Sequence, residues 1–307
     1  MSFTPIDLDR LPPPEFIEQP DFEDILAERK TRMLQVAKDL GATDAELAEI
    51  AATLELESEP VVQILEEDSY REVSLRAEVQ DAGMERLLAF AQNGNLDHIA
   101  AGFGVERAVV IPADPAATPP VQEVQESDAR LRRRTQLAPE SYTTCGTEGM
   151  LIFWALNASP LVKSAKPASP APAQIVLTIL STQGDGTATP DLLDLVRREV
   201  QPRAPLGTQV VVRSAEILHY TAHAVITVFD GPDAEVLRAV SEEELRNFTE
   251  ERHQLGYDIT VAGLHGAIWQ ANLHNISLGD FSSDLTVAPH QAAYCTGLSV
   301  TIGGRNA

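Results

Sequence analysis

Glu126-Ser127-Asp128-Ala129-Arg130-Leu131-Arg132-Arg133-Arg134 places four arginines within five positions of a chain whose net charge is −23. Ser127 is a suitable helix N-cap, because its hydroxyl can accept from a free backbone N–H of the first turn. Asp128 then complements the helix dipole. Arg130 and Arg134, four apart, share a face with Arg133 beside them, and Leu131 points elsewhere. Two readings stand for this block. One is a solvated basic helix face. The other is a docking point for an acidic surface, on this chain or on a second copy, that would use Arg130, Arg132, Arg133 and Arg134.

Other residues offer less. Gly184-Asp185-Gly186 supplies one carboxylate before Asp191, where a calcium loop needs several oxygens at fixed spacing, so a tight turn is expected. His219 and His223 fall in a strand pattern that puts both on one face with no third ligand nearby. Cys145 follows Thr144 and precedes Gly146, with no histidine motif to mark it as a nucleophile. Cys145 and Cys295 make no metal or redox spacing, and free thiols are expected. No G-x-S-x-G, phosphate-cradling glycine loop with lysine, or H-E-x-x-H is present. No catalytic residue, metal or cofactor is expected.

At 307 residues the chain is long enough for two or three domains. Its strongly acidic balance argues against nucleic-acid binding and against adhesion to anionic membranes. No apolar run approaches the roughly eighteen residues of a membrane span. The start, Met1-Ser2-Phe3-Thr4-Pro5, lacks the features of a signal peptide. The charge is uneven: residues 1–81 hold 21 acidic and 7 basic side chains, a balance of −14.

Prolines at 5, 12, 13, 14 and 20 predict an extended arm over 1–20, with Leu11, Phe16 and Ile17 to bury against a neighbour. Asp21 caps a helix to about Leu40, and Thr43 with Glu46 forms a capping box for a helix over 44–55. A third helix opens at Ser58 and Pro60 and can run to Asn93. Its apolar stripe, including Leu65, Leu75 and Val79, is broken by Asp68 and Glu72. Either other chains complete the bundle, or the three helices pack on one another.

Residues 21–111 are thus an acidic helical region ending in a short strand, Ala108 to Ile111, and the proline-rich 112–125 reads as a linker. From 126 to 230 a central α+β domain is expected. It contains the arginine helix, an apolar helix from Met150 to Leu156, and a Pro/Ala/Ser stretch at 167–172. A strand (174–180), a helix from Thr189-Pro190 to Val200, and strands at 210–218 and 219–229 complete a βαββ-like unit. From 231 to 307 a second α+β domain begins with a long helix opened by Gly231-Pro232. A shorter helix over 261–270 and isolated strands near 275–278 and 298–302 follow. The fold class is α+β: an N-terminal helical region, then mixed α+β domains with small sheets.

Several stretches, in order, resemble the baseplate J-like proteins of contractile phage tails and related injection particles. They are Leu54 to Pro60, Asn95-Leu96-Asp97 with Gly104 to Arg107, and the arginine block. Ser169 to Pro172, Gly184 to Gly186, Ser214 to Ile217 and Ala293 to Leu298 follow. The resemblance implies a structural subunit of a baseplate wedge, not an enzyme, and no cofactor. Two copies would join a smaller wedge protein, and six wedges would ring the hub, with sheath-initiator and hub proteins as further partners. The N-terminal helices would form an intersubunit bundle, and the arginines would meet a neighbour's acidic surface. The protein would assemble in the host cytoplasm and end in the particle's baseplate. Readings from other classes are an acidic cytoplasmic adaptor and a tail-associated hydrolase with a carboxylate pair.

Overall fold

The structure, a computed structural model, describes residues 6–229, 233–279 and 281–306. The described residues form two compact units, 6–99 and 100–306. Residues 112–125 fall inside the second, where Asp114 and Val121 pair with each other.

In the first unit, helices α1 (Phe22–Asp39), α2 (Asp44–Leu54) and α3 (Pro60–Met84) follow the start signals in the sequence. The Asp21 carboxylate accepts from the Phe22 N–H, and Thr43 and Glu46 close the capping box. Gly41 stops α1 in the left-handed region, at φ +93°. α3 ends at Met84, earlier than the sequence pattern allows. Asp81 and Gly83 carbonyls accept from Glu85 and Arg86, tightening the last turn, and α4 (Asn93–Gly102) restarts only at Asn93, whose φ is +47°.

The arm over 6–20 lies along α3. Phe16 N–H donates to Gln80 Oε1 at 2.9 Å, Gln80 donates to the Pro14 carbonyl at 2.7 Å, and Arg76 donates to the Glu18 carbonyl at 3.0 Å. Gly83 makes room for the arm, since a Cβ there would stand 2.6 Å from the Phe16 ring.

The second unit holds two three-stranded sheets and a short β1–β2 pair (Val109–Ile111 with Val124–Gln125). In the first sheet β3 (Val162–Ala171) runs antiparallel to β4 (Gln174–Ser181). α7 (Pro190–Val200) then carries the chain to β5 (Gln209–Ser214), parallel to β4. α6 (Glu148–Ala158) packs on β3 and α7 through Met150, Leu151, Phe153 and Leu156. The Pro/Ala/Ser stretch at 167–172, not assigned to a strand from the sequence, supplies the second half of β3 as far as Ala171. Pro167 and Pro170 are tolerated because β3 is an edge strand, where a missing N–H breaks no ladder.

The expected βαββ unit does not close as one sheet. At Ala215 the chain leaves β5, and β6 (Glu216–Phe229) becomes the centre of the second sheet, between β7 (Leu273–Leu278) and β8 (Gln291–Asn306). β6 alternates strictly, with Tyr220, Ala222, Ala224, Ile226 and Val228 buried and Thr221, His223, Val225 and Phe229 outward. α8 (Ala234–Arg252) and α9 (Val261–Ile268) close the buried face with Leu245, Leu264 and Ile268. The Gly231-Pro232 helix start lies outside the described residues; Asp233 caps α8. The strand expected as isolated near 298–302 belongs to β8, 16 residues long and paired along β6.

Candidate assembly surfaces and the buried arginine cluster

α5 (Asp128–Leu137) starts as its sequence dictates, with the Ser127 hydroxyl accepting from the Arg130 N–H. Its arginines do not share one environment. Glu126, only 3% exposed, stands just before the helix and pairs with both Arg130 and Arg134. Arg130 also donates to the Leu156 and Ser159 carbonyls at 2.7 and 2.8 Å, where α6 ends and its free carbonyls concentrate negative potential. Arg134, 4% exposed, donates to the Glu106 carbonyl at 3.1 Å and to the side-chain amide oxygen of Asn157. Arg107 adds a 2.8 Å bond to the Glu126 carbonyl and a 2.7 Å ion pair to Asp128.

The cluster therefore ties the residues before β1, the start of α5 and the end of α6 together. Burial pulls the Arg130 guanidinium below its ordinary range while Glu126 pulls it back up. Arg134 and most of Arg130 are internal, so neither the solvated-face reading nor a docking role for these two agrees with the structure. The spacing of four that puts them on one face aims them at a carboxylate of the same chain. Glu126, four and eight residues before them, was the sequence signal for this. Arg132 is half-buried and is not free. Arg133 is half-buried and, among the described residues, makes no ion pair; burial holds its guanidinium down, with Tyr257 opposing.

The helical unit presents a second surface. Its buried apolar residues include Ile25, Leu26, Leu54 and Val62, and beyond Val62 the inward side of α3 turns polar. Ser69 is buried there, and Glu72 meets Arg29 at 2.9 Å and Arg76 at 2.8 Å. Leu65 is half-buried, whereas Leu75 (60% exposed) and Val79 (51%) face outward with Ile64 and Tyr70. Leu40, at the end of α1, is 84% exposed. Met33, Ala37, Ile50, Leu54 and Val61 line a shallow apolar cleft of about 770 Å³ between α1, α2 and α3, with Glu46 and Glu49 at its rim. Phe16 is exposed and Ile17 half-buried, and Phe16 packs against its own chain at Gly83.

The remaining candidate chemistry dissolves into structure. Asp185 lies in the turn after β4, its carboxyl held low by the Thr187 hydroxyl and N–H, with His219 3.3 Å away. His223 bonds Ser299 on β8 at 2.7 Å. Among the described residues no group of three or more His, Cys, Asp or Glu is arranged to hold a metal ion. No helix among them is long and apolar enough to cross a membrane.

Residues 57–114 match the Baseplate J-like N-terminal domain. The chain is 35% identical over 301 residues to Baseplate protein J of Escherichia phage P2, a span of 97% of this chain and 98% of that protein. A cryo-EM structure of the anti-feeding prophage (AFP) baseplate, 6-fold symmetrised, aligns with a TM-score of 0.38 and 9% identity. That alignment covers 59% of this chain and 46% of the other. With identity of this level along almost the full length of both sequences, the chain belongs to the baseplate J-like family.

Proposed function

We propose that this protein is a structural subunit of a contractile-tail baseplate wedge, located in the baseplate of the particle and assembled in the host cytoplasm. Two copies join a smaller wedge protein, and six such wedges close a ring that meets hub and sheath-initiator proteins. The observation that carries the reading is the likeness to Baseplate protein J along nearly the whole chain. The helical unit supports it from physics. It holds 23 acidic against 8 basic side chains, −15 of the chain's net −23, and leaves Leu40, Ile64, Leu75 and Val79 uncovered, a surface suited to completion by other helices.

In this reading the acidic helical unit, 6–99, is the assembly region, and the unit from residue 100 onward joins neighbouring copies. Arg133, whose charge has no partner of its own among the described residues, meets acidic surface on a neighbour and fixes orientation. The protein performs no chemical step. A ring needs two different faces on each copy, because its contacts are heterologous.

Light scattering on the purified chain, alone and co-expressed with the product of the adjacent reading frame, tests this. The expected result is a complex of two copies with one neighbour, lost when the helical unit is removed. A monomer that ignores every neighbour contradicts it.

A further inference from the structure

The two sheets of the second unit guard their edges differently. β3 carries Pro167 and Pro170, which remove backbone donors from an edge and discourage pairing. β8 is also an edge strand, yet from Gln291 to Gly304 it contains neither proline nor a charged side chain. Thr296 and Gly303 have no opposite number on β6, so the register is regular between them, from Gly297 to Ile302. Among the described residues nothing pairs with the outer edge of this run; the bridge from Leu255 reaches only Ala292. Six residues at roughly 3.3 Å each offer about 20 Å of unpaired backbone.

A cavity of about 550 Å³ adjoins the start of this run, with Thr296, Gly297 and Leu298 on one wall and Lys163, Glu250 and His253 among the others. Lys163, from β3, makes no ion pair among the described residues. Burial pulls its ammonium below the ordinary lysine range, opposed only by Glu250 at longer reach. The neighbouring Arg246 is already engaged by Glu242 and Glu243. Beside the open strand edge, then, stands a half-buried ammonium with no carboxylate in ion-pair contact among the described residues, Glu250 acting on it only from a distance.

We propose that the Gly297–Ile302 edge of β8 is a strand-addition site for an extended segment of a second protein, and that Lys163 receives an acidic side chain of that segment in the adjoining cavity. Backbone bonds along the edge give affinity, and the carboxylate sets the register. A second copy's β8 does not fit this role. Antiparallel two-fold pairing sets Gly297 of one copy near Ile302 of the other, which directs Arg305 toward Lys163, like charge against like.

Fluorescence anisotropy with the full chain tests the site. The probe is a labelled peptide of about ten alternating threonines and valines with a glutamate at each end, compared with its glutamine counterpart. The glutamate peptide is expected to bind about tenfold tighter. Lys163→Gln should erase that difference, and Thr301→Lys, at an exposed edge position, should weaken both peptides, with only a small fall in Tm from losing the Thr301 hydroxyl's bond to the Ala224 carbonyl. Lys163→Gln keeps the test intact if Thr301→Lys folds poorly. No saturable binding, equal binding of both peptides, or self-association of the chain through β8 would overturn the proposal. Because the site is separate from the helical unit, its failure leaves the wedge reading standing.

Discussion

From residue 100 onward both sheets bury a continuous apolar face under helices, although Leu206, Trp269 and Val236 stay exposed. β6 alternates cleanly under α8 and α9, and α6 is apolar on nearly every side and covered. Residues 6–99 bury fewer apolar side chains: past Val62, α3 buries only Ser69 and leaves Ile64, Tyr70, Leu75 and Val79 outside. The charges follow the same division. Glu126 is buried and shared by two arginines, while Glu72, also shared by two arginines, sits near the surface of its unit. Burial is what makes an ion pair structurally decisive, so the same motif of one carboxylate and two guanidiniums has different weight in the two units.

The largest effect expected from this contrast is at Glu126. Glu126→Ala leaves two inward-facing arginines without their carboxylate and should cost about 3–5 kcal/mol. For a unit of this size that is a fall in Tm on the order of 10 °C by calorimetry. Glu72→Ala should shift Tm far less, and equal losses would break the comparison. Next in size, Ile179→Ala opens a cavity in the first sheet's core and should cost about 2–4 kcal/mol in urea unfolding. Leu75→Ala, at an exposed position, should stay within roughly 0.5 kcal/mol. Leu75→Asp with Val79→Asp sharpens the point, since it should leave the isolated chain's Tm unchanged and abolish co-assembly with the adjacent gene product.

A smaller effect is pH-linked. His253, 8% exposed, bonds the Ala293 carbonyl through Nδ1 at 2.8 Å, and burial holds it below the ordinary histidine range. Gly186, at φ +95°, leaves room for the ring, because a Cβ there would stand 2.8 Å from its Nε2. The unfolded chain therefore takes up the proton more readily than the folded one. Stability is complete above about pH 6.5 and falls as pH drops below it. His253→Gln should flatten the Tm-against-pH profile between about pH 7 and 5. The smallest effect is at Tyr220, whose buried hydroxyl finds no partner among the described residues and whose pKa burial raises strongly. Tyr220→Phe should leave Tm level or slightly higher.

Much of this was legible in the residues. Asp21, Thr43 with Glu46, Ser127 and Thr189 each announce a helix start, because capping is decided by local hydrogen bonds. What escaped was long-range. Whether β6 continues the first sheet or founds another depends on a break at Ala215 and on pairing with β8, some seventy-five residues later. The prolines of β3 hid a strand because a propensity rule cannot see that the strand lies at an edge. The arginine block displayed its charge but not its direction, which depends on Glu126 and on where α6 ends.

We propose that assembly completes the helical unit. Hydrogen exchange of α1–α3 amides, in the free chain and in the co-expressed complex, tests it most directly. Exchange is expected to be markedly faster than in β4 and β6 for the free chain, with strong protection of α3 around Leu75 and Val79 in the complex. Equal protection of α3 in both states would contradict it.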